Sequence, residues 1–192
     1  IIVLNYNTRE LLKGCLESIR RAWKDGFVIE VIVVDNASRD GSAQMVEKEF
    51  GEAILIKSKK NLGFSAGNNL GLPKAKGEYL LFLNPDTVVS PETLREMLKF
   101  MQQNPQVGAA TCRVELPSGR LDEASHRGFP TPWRAFCHFS GLEKFFPKSR
   151  LFAGYILGYL PPGQVHEIDS GTGAFLFVRR QAGEEIACLP AR

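Results

Sequence analysis

The stretch "LFLNPDTVVSPETL", residues 81–94, decides the fold. Leu81–Leu83 is an apolar run typical of the interior of a parallel sheet, and it passes directly into Asn84 and Asp86. Ligands of such sheets bind outside the carboxyl ends of the strands. Asp86 is therefore a candidate for chemistry. Ser90 followed by a proline then predicts a helix start, with a buried face at Leu94, Met97, Leu98 and Met101.

Strand and helix patterns alternate along the first part of the chain. Short apolar runs predict strands at Ile1–Leu4, Val31–Val34, Ala53–Ile56, Tyr79–Leu83 and Val107–Cys112. Strands that alternate with helices indicate parallel crossovers. We therefore expect an α/β fold, with an open, mostly parallel sheet and helices on both faces. Another apolar strand is predicted at "GAFLFVRR", residues 173–180.

Three local patterns specify the helices. Asn7 and Glu10 predict a capping box, before a helix whose apolar face is Leu11, Leu12, Cys15, Leu16 and Ile19. The second predicted helix has an apolar face at Ala43, Val46 and Phe50. The third predicted helix contains three glycines spaced four residues apart, Gly63, Gly67 and Gly71. This spacing leaves one helical face without side chains, which would let the helix lie close to the sheet.

Composition fits one ordinary globular domain. The chain has 192 residues, 44% of them hydrophobic, and a formal charge of +3 from 24 basic and 21 acidic residues, so no nucleic-acid partner is expected. Its four cysteines form no CxxC pair, which favours reduced thiols and a cytoplasmic location. No apolar run is long enough to span a bilayer. Both ends look cut, and we expect a fragment of a larger protein.

The loop after the first strand excludes two common phosphate sites. It reads "NYNTRE", residues 5–10, which is neither the GxGxxG of a dinucleotide-binding turn nor a P-loop. A diphosphate would instead need a metal ion, with Asp86 as its carboxylate ligand and Asn84 offering an amide oxygen. The alternative is a plain turn in which Asp86 bonds its own backbone. The alternative for Asp35 is that it begins an ordinary strand-to-helix loop, in which Asp40 or Ser42 caps the helix.

Five segments together resemble one family. They are "IIVLNYN", "VIVVDNASRDGS", "NLGFSAGNNLG", "YLLFLNPDT" and "SGTGAFLFVRR", and they cover almost the whole chain. Their order and spacing are similar to those of family 2 glycosyltransferases, most of all the bacterial rhamnosyltransferase branch. The resemblance implies a single GT-A (Rossmann-like) nucleotide-sugar domain. Residues 1–112 would form its donor-binding half and residues 113–192 a truncated acceptor-side half.

The same resemblance implies roles for residues. Asp35 would accept the imide N–H of a uracil or thymine, and Asp86 would be the last acid of the DxD motif, bound to Mg2+ or Mn2+. Asn84 replaces the first acid of that motif, so the metal is expected but not assured. Asp40 would brace its loop. Other donor contacts would come from Leu4, Asn5, Tyr6, Asn7, Asn61, Gly63, Asn68 and Asn69. Gly171, Thr172 and Gly173 would contact the acceptor; the alternative is that they form a simple tight turn.

The implied reaction is an inverting transfer from a UDP- or dTDP-sugar, with dTDP-rhamnose as one candidate, to a saccharide or polyprenyl-linked acceptor. The family's general base would lie beyond Arg192, so no catalytic base is assigned. Glu184 and Glu185 are better explained as a solvated helix face. Two alternatives stay open: a donor-binding but catalytically silent protein and, less favoured, a nucleotidyltransferase.

Residues 130–163 mix aromatic side chains with Arg134, Lys144, Lys148 and Arg150. The favoured interpretation is an irregular lid whose aromatics fill the core. The alternative is a surface for peripheral contact with the inner face of the plasma membrane. We expect the three histidines, His126, His138 and His166, to be surface or hydrogen-bonded residues. A metal contact by His166 with Asp169 is less favoured.

Overall fold

The computed structural model describes residues 1–23, 28–161 and 163–185. It divides into two compact units. The sheet unit comprises Ile1–Cys112 with Gly173–Arg192, and the inserted unit comprises Arg113–Thr172. The strand after Gly173 joins the first sheet, so residues 113–192 contribute to both compact units. The division into a donor-binding half, 1–112, and an acceptor-side half, 113–192, stays a prediction.

The elements follow the expected alternation. The strands are β1 (Ile2–Asn5), β2 (Ile32–Asp35), β3 (Ile54–Lys57), β4 (Tyr79–Leu83), β5 (Ala109–Ala110), β6 (His126–Arg127), β7 (Ser170–Gly171) and β8 (Phe175–Arg179). The helices are α1 (Arg9–Trp23), α2 (Ser42–Glu49), α3 (Phe64–Gly71), α4 (Pro91–Gln103), α5 (Pro132–Phe139), α6 (Leu142–Phe145) and α7 (Arg180–Glu185).

The sheet unit contains a six-stranded, mixed sheet in the order β3-β2-β1-β4-β8-β5. The first four strands of this order are parallel, and β8 is antiparallel to both β4 and β5. The predicted α/β class and mostly parallel sheet are confirmed. In the register of β1 and β2, Asn5 lies opposite Asp35, so polar residues meet where the two strands end.

Both faces of the sheet are covered. One face carries a buried cluster that includes Ile2, Ile32 and Phe82. On this face α3 packs closely against β1, since a methyl group added at Gly71 would lie 2.8 Å from Ile2 Cγ2. Val3 points to the opposite face and is also fully buried. That face packs below α1, which contacts both α2 and α4. The predicted close approach is therefore present at Gly67 and Gly71, whereas Gly63 precedes the helix and a methyl group added there would meet nothing within 4 Å.

Three local predictions were wrong. Asn7 does not cap α1: its backbone is left-handed, with φ 54°, and its Oδ1 accepts the Arg39 N–H at 2.7 Å. Leu11, placed on the buried face, has 53% of its surface exposed, because α1 turns that position outward. The expected strand at residues 107–112 is only two residues long, because β5 pairs with β8 over Ala109–Ala110 alone.

The inserted unit holds the short antiparallel pair β6–β7 and two helices in the segment predicted to be irregular. Thr131 caps α5, since its side-chain oxygen accepts the Arg134 N–H at 3.2 Å. The Trp133 indole N–H donates to the Leu151 carbonyl at 3.0 Å. Among the helices of the described ranges, none has the length and apolar character needed to cross a bilayer.

Candidate functional site

Asp35, the last residue of β2, is a buried acid at the carboxyl end of the sheet. Only 4% of its surface is exposed. Its Oδ1 accepts the side-chain N–H of Asn5 at 3.2 Å, and its Oδ2 accepts the backbone N–H of Ser38 at 3.1 Å. A carboxylate has about four acceptor positions, so two bonds fix its orientation and leave capacity for a further donor.

Asn5 links the loops that follow β1 and β2. Its Nδ2 also donates to Ser38 Oγ at 3.0 Å, and its Oδ1 accepts the Thr8 hydroxyl at 2.7 Å. Ser38 Oγ in turn accepts the Asn7 backbone N–H at 3.0 Å. The two loops are thus held together by side chains, and the neighbouring Tyr6 is left exposed beside them.

Asp40 braces the start of α1 against the start of α2. It accepts the Arg9 N–H at 2.8 Å, the Ser42 N–H at 3.0 Å and the Ser42 hydroxyl at 2.5 Å. Partial burial alone would raise the pKa of Asp40, but these hydrogen bonds outweigh it and lower the pKa below its ordinary value. These contacts agree with the bracing role expected from the sequence.

Asn36 is a residue of the site that sequence reasoning missed. It is 2% exposed, its Nδ2 donates to Asn61 Oδ1 at 2.9 Å, and its Oδ1 accepts the Leu62 N–H at 2.9 Å. Asn36 therefore fixes the loop that carries Asn61 and Gly63. The available signal was its position directly after Asp35, at the end of a buried strand.

The remaining predicted donor contacts lie on α3 and β1. Asn68 is buried and donates to the Phe64 carbonyl of its own helix at 3.0 Å. Asn69 is half-buried on the same helix. Leu4 lies under α3, where a methyl group added at Gly67 would be 2.6 Å from its Cδ1. These residues set the distance between α3 and the sheet.

Asp86 lies in a turn just after β4. The Thr87 N–H donates to the Asn84 carbonyl at 3.2 Å, and the Asn84 N–H donates to the Ala174 carbonyl at 3.1 Å. The backbone therefore closes this turn. The Asp86 side chain is exposed, and within the described ranges no hydrogen bond or ion pair engages it. The alternative in which Asp86 bonds its own backbone is not what the structure contains.

Cys15 lies beneath this turn, with its Sγ 3.7 Å from the Asn84 carbonyl oxygen. Burial, with a smaller contribution from the charge of Asp86, raises the pKa of the thiol to about 12. The thiol therefore stays protonated and is no nucleophile at neutral pH. Across the described residues, no three or more His, Cys, Asp or Glu side chains group together as metal ligands.

The predicted acceptor-side residues span the boundary between the units. Gly171 belongs to β7 and pairs with His126, and Thr172 ends the inserted unit. Gly173 belongs to the sheet unit, where an added methyl group would lie 2.5 Å from the Phe64 ring. The side chains of Glu184 and Glu185 lie outside the described part of the structure, as does Cys188.

These features can be compared with known proteins. Residues 1–160 match the model of glycosyl transferase family 2. The chain belongs to that family. It is 32% identical over 108 residues to an uncharacterized glycosyltransferase of Haemophilus influenzae, which covers 56% of this chain and 35% of that protein. It is 28% identical over 134 residues to the poly(ribitol-phosphate) beta-glucosyltransferase of Bacillus spizizenii, covering 68% of this chain and 20% of that one. The chain thus spans about a third or less of these relatives' lengths.

Solved structures of the GT-A class resemble it as well. TarS of S. aureus, solved alone and with UDP or UDP-GlcNAc, shares 26–27% identity over 69% of this chain and 37–38% of its own, with TM-scores of 0.53–0.54. The mannosyltransferase PcManGT of Pyrobaculum calidifontis, solved with GDP-Man and Mn2+, covers 99% of this chain and 46% of its own, with a TM-score of 0.63. Its 20% identity supports the fold alone. The GT-A fold is thereby confirmed, whereas the rhamnosyltransferase branch stays a prediction.

Proposed function

We propose that the sheet unit binds a uracil or thymine nucleoside diphosphate sugar and that the protein transfers this sugar to an acceptor hydroxyl. The observation that carries the proposal is the buried Asp35 carboxylate, held from two sides by Asn5 and Ser38. An ionised carboxylate can only accept hydrogen bonds, and the imide N–H is the donor that uracil and thymine offer. A preorganised acceptor therefore suits these bases.

One neighbour supports a uracil nucleotide, because TarS was solved with UDP and with UDP-GlcNAc. The B. spizizenii relative is named as a glucosyltransferase, which supports glucose as the transferred sugar. We propose UDP-glucose and UDP-GlcNAc as the first donors to test, beside dTDP-rhamnose. That third donor follows from the branch resemblance of the sequence motifs.

A divalent cation fits the turn after β4. Asp86 is exposed and has no described partner, and the Asn84 amide could supply a second oxygen. Mg2+ in proteins is commonly held by one or two carboxylates together with substrate phosphates. One carboxylate is therefore enough when the diphosphate completes the coordination. Bound there, Mg2+ or Mn2+ would stabilise the negative charge of the departing diphosphate.

The proposed reaction is an inverting displacement at the anomeric carbon. The acceptor oxygen forms the new bond, the bond to the diphosphate breaks, and a general base removes the hydroxyl proton. Asp35 and Asn5 would hold the base moiety, and the loop fixed by Asn36 would position Asn61 and Gly63 beside the ribose or sugar. No described residue is assigned as the general base.

Calorimetric titration with UDP, dTDP, GDP and ADP, each with and without Mn2+, tests the donor site. We expect binding of UDP or dTDP only, strengthened by Mn2+. In Asp35→Asn, the carboxamide replaces one acceptor by a donor, so the preference for uracil and thymine should weaken, with a loss of about tenfold or more in affinity. Equal binding of GDP or ADP by the unsubstituted protein would contradict the assignment of Asp35.

Asp86→Asn tests the metal site separately. The variant should keep its melting temperature, because Asp86 has no described partner, but its UDP affinity should no longer respond to Mn2+. The matched control is Glu17→Gln, an exposed acid on α1. Unchanged metal dependence in Asp86→Asn would refute the assignment.

For the acceptor side, we propose that the inserted unit contacts an anionic membrane surface, where a polyprenyl-linked saccharide would be presented. Phe139 and Phe145 are each 79% exposed, and Trp133 is also exposed, which disfavours the core-filling alternative. Lys144 and Lys148 are exposed nearby. The single acid between residues 129 and 166, Glu143, is buried against His138, so this segment offers cations and aromatic rings. The exposed acids Glu167 and Asp169 follow it in sequence, and Asp169 pairs with Arg134.

A vesicle flotation assay tests this contact. The protein should float with vesicles rich in anionic lipid at low salt and remain at the bottom with zwitterionic vesicles. Replacing both Phe139 and Phe145 by Ser should reduce flotation on the anionic vesicles. The matched control is Phe64→Ser, because that ring is also exposed but lies in the sheet unit. No retention of the unsubstituted protein on anionic vesicles would overturn the proposal.

A further inference from the structure

Two histidines of the inserted unit face each other. His126 lies in β6, and His166 lies four residues before β7, the strand that pairs with β6. The Nε2 atoms of the two rings are in direct contact, and the ring planes are inclined at 75°. Forty residues separate the two in sequence, so the fold of the inserted unit brings them together.

The second nitrogen of each ring lies beside a backbone carbonyl. His126 Nδ1 is 3.2 Å from the Ile156 oxygen, and His166 Nδ1 is 2.8 Å from the Gln164 oxygen. A carbonyl oxygen can only accept, so each Nδ1 must carry a proton. In the neutral form of each imidazole, the lone pair then resides on Nε2.

This arrangement places two lone pairs against each other. Two acceptors in contact repel unless a positive charge lies between them, and only a proton or a metal cation can supply it there. The donation of the outer ring nitrogen to a backbone carbonyl is the usual arrangement of histidines that bind metals, because it fixes the tautomer and the ring orientation.

We propose that His126 and His166 form a binding site for a late first-row divalent cation, such as Zn2+. Neutral imidazole nitrogens suit Zn2+, Cu2+ and Ni2+, whereas Mg2+ prefers oxygen ligands. At a Zn–N length of roughly 2.0–2.1 Å, two nitrogens at a tetrahedral metal lie about 3.3 Å apart, so the rings would separate slightly to admit the ion. The remaining positions would be taken by water or by an external ligand.

A proton is the competitor for this position. A metal ion and a proton would compete for the same two Nε2 lone pairs, so Zn2+ binding at this site should displace any proton shared by the rings.

The site differs in place and chemistry from the proposed donor site. It lies in the inserted unit and uses nitrogen, whereas Asp86 lies in the sheet unit and uses oxygen. The two can be measured independently in the same protein. Failure of one proposal would leave the other unaffected.

The experiment is a calorimetric titration of tag-free protein carrying Asp86→Asn with Zn2+, in excess Mg2+. We expect about one ion per chain, with affinity lowered by about tenfold or more in His126→Ala and in His166→Ala. His138→Gln is the matched control, because that ring is bonded to Glu143 instead. When Co2+ replaces Zn2+, an absorption band should appear in the protein that keeps both His126 and His166, and in neither alanine variant.

Two results would overturn the proposal. One is Zn2+ binding that survives both alanine substitutions, which would place the ion elsewhere. The other is the absence of Zn2+ binding in a protein whose circular dichroism is that of a folded chain, which would mean that the two rings share a proton. A far-ultraviolet spectrum of each variant, recorded before titration, separates lost ligands from lost folding.

Discussion

The two acids of the candidate donor site differ in what surrounds them. Asp35 is buried and held by Asn5 and Ser38, whereas Asp86 is exposed and has no described partner. A fixed carboxylate suits recognition of a planar base, because the orientation of its oxygens determines which N–H group of the base it can accept. An exposed carboxylate suits a hydrated cation that arrives with a diphosphate. The difference in environment therefore supports two different roles.

Asp40 allows a prediction of pH dependence. Its pKa in the folded protein is lowered from the ordinary value of 3.8 by bonds from Ser42 and Arg9, against the effect of partial burial. The ionised carboxylate thus stabilises the fold above pH 3.8, and this stabilisation is lost as the pH falls through the folded-state pKa. Asp40→Asn should lower the melting temperature more at pH 7 than near pH 3, in thermal unfolding followed by circular dichroism. Glu17→Gln is the control, and an equal deficit at both pH values would contradict the prediction.

Residue roles could be predicted only where a motif marks them. Asp35 ends β2 and Asp86 lies three residues after the end of β4, so the sequence alone singled them out as acids at strand ends. Asn36 acts through a side-chain bond to Asn61, a contact across 25 positions of the chain. No local pattern specifies such a partner, and for this reason Asn36 was missed.

At the scale of elements, α3 lies close to the sheet because glycines face it. The Gly71 backbone is right-handed helical, with φ −76°, so alanine would be tolerated there by conformation alone. The constraint at Gly71 is the lack of space for an added methyl group. Ile2 is fully buried and branched at Cβ, so its Cγ2 cannot move without a rotation of χ1 inside the core.

Gly71→Ala should therefore destabilise the protein by about 1–3 kcal/mol, because the new methyl group would lie 2.8 Å from Ile2 Cγ2. Gly14→Ala on α1 is the matched control, since a methyl group there meets nothing within 4 Å and should stabilise by roughly 0.5–1 kcal/mol. Urea unfolding of both variants provides the measurement. If Gly71→Ala were as stable as the unsubstituted protein, α3 would not be held by this contact.

Element prediction succeeded for the four parallel strands and failed in detail at β5. Each of β1 to β4 lies on an apolar run of the sequence, and these runs located all four strands. The apolar run at residues 107–112 predicted a longer strand than β5, because pairing with β8 alone sets the limits of β5. The start of α5 did carry a signal: Thr131 before Pro132 repeats the Ser90 and Pro91 arrangement that correctly located α4.

At the scale of the whole molecule, the inserted unit interrupts a sheet that is otherwise continuous. Residues 113–172 enter after β5 and leave before β8, and those two strands are antiparallel neighbours. The Thr111 hydroxyl donates to the Phe175 carbonyl at 2.7 Å, so the points of entry and exit are close. The sequence could not predict this division, because nothing local to residues 173–180 shows that their strand returns to the first sheet.

This topology predicts that donor binding needs the sheet unit alone. Replacing residues 113–172 by a short Gly-Ser linker should leave a folded protein, because the linker would only close a hairpin between β5 and β8. The shortened chain should bind UDP about as tightly as the full chain, since Asp35, Asn36 and Asp86 all lie in the sheet unit. Cooperative thermal unfolding and UDP calorimetry provide the two readouts, and Asp35→Asn in the shortened chain is the control that should abolish the signal. A folded but non-binding protein would mean that the inserted unit supplies donor contacts, and the assignment of the donor site to the carboxyl ends of β1, β2 and β4 would then be incomplete.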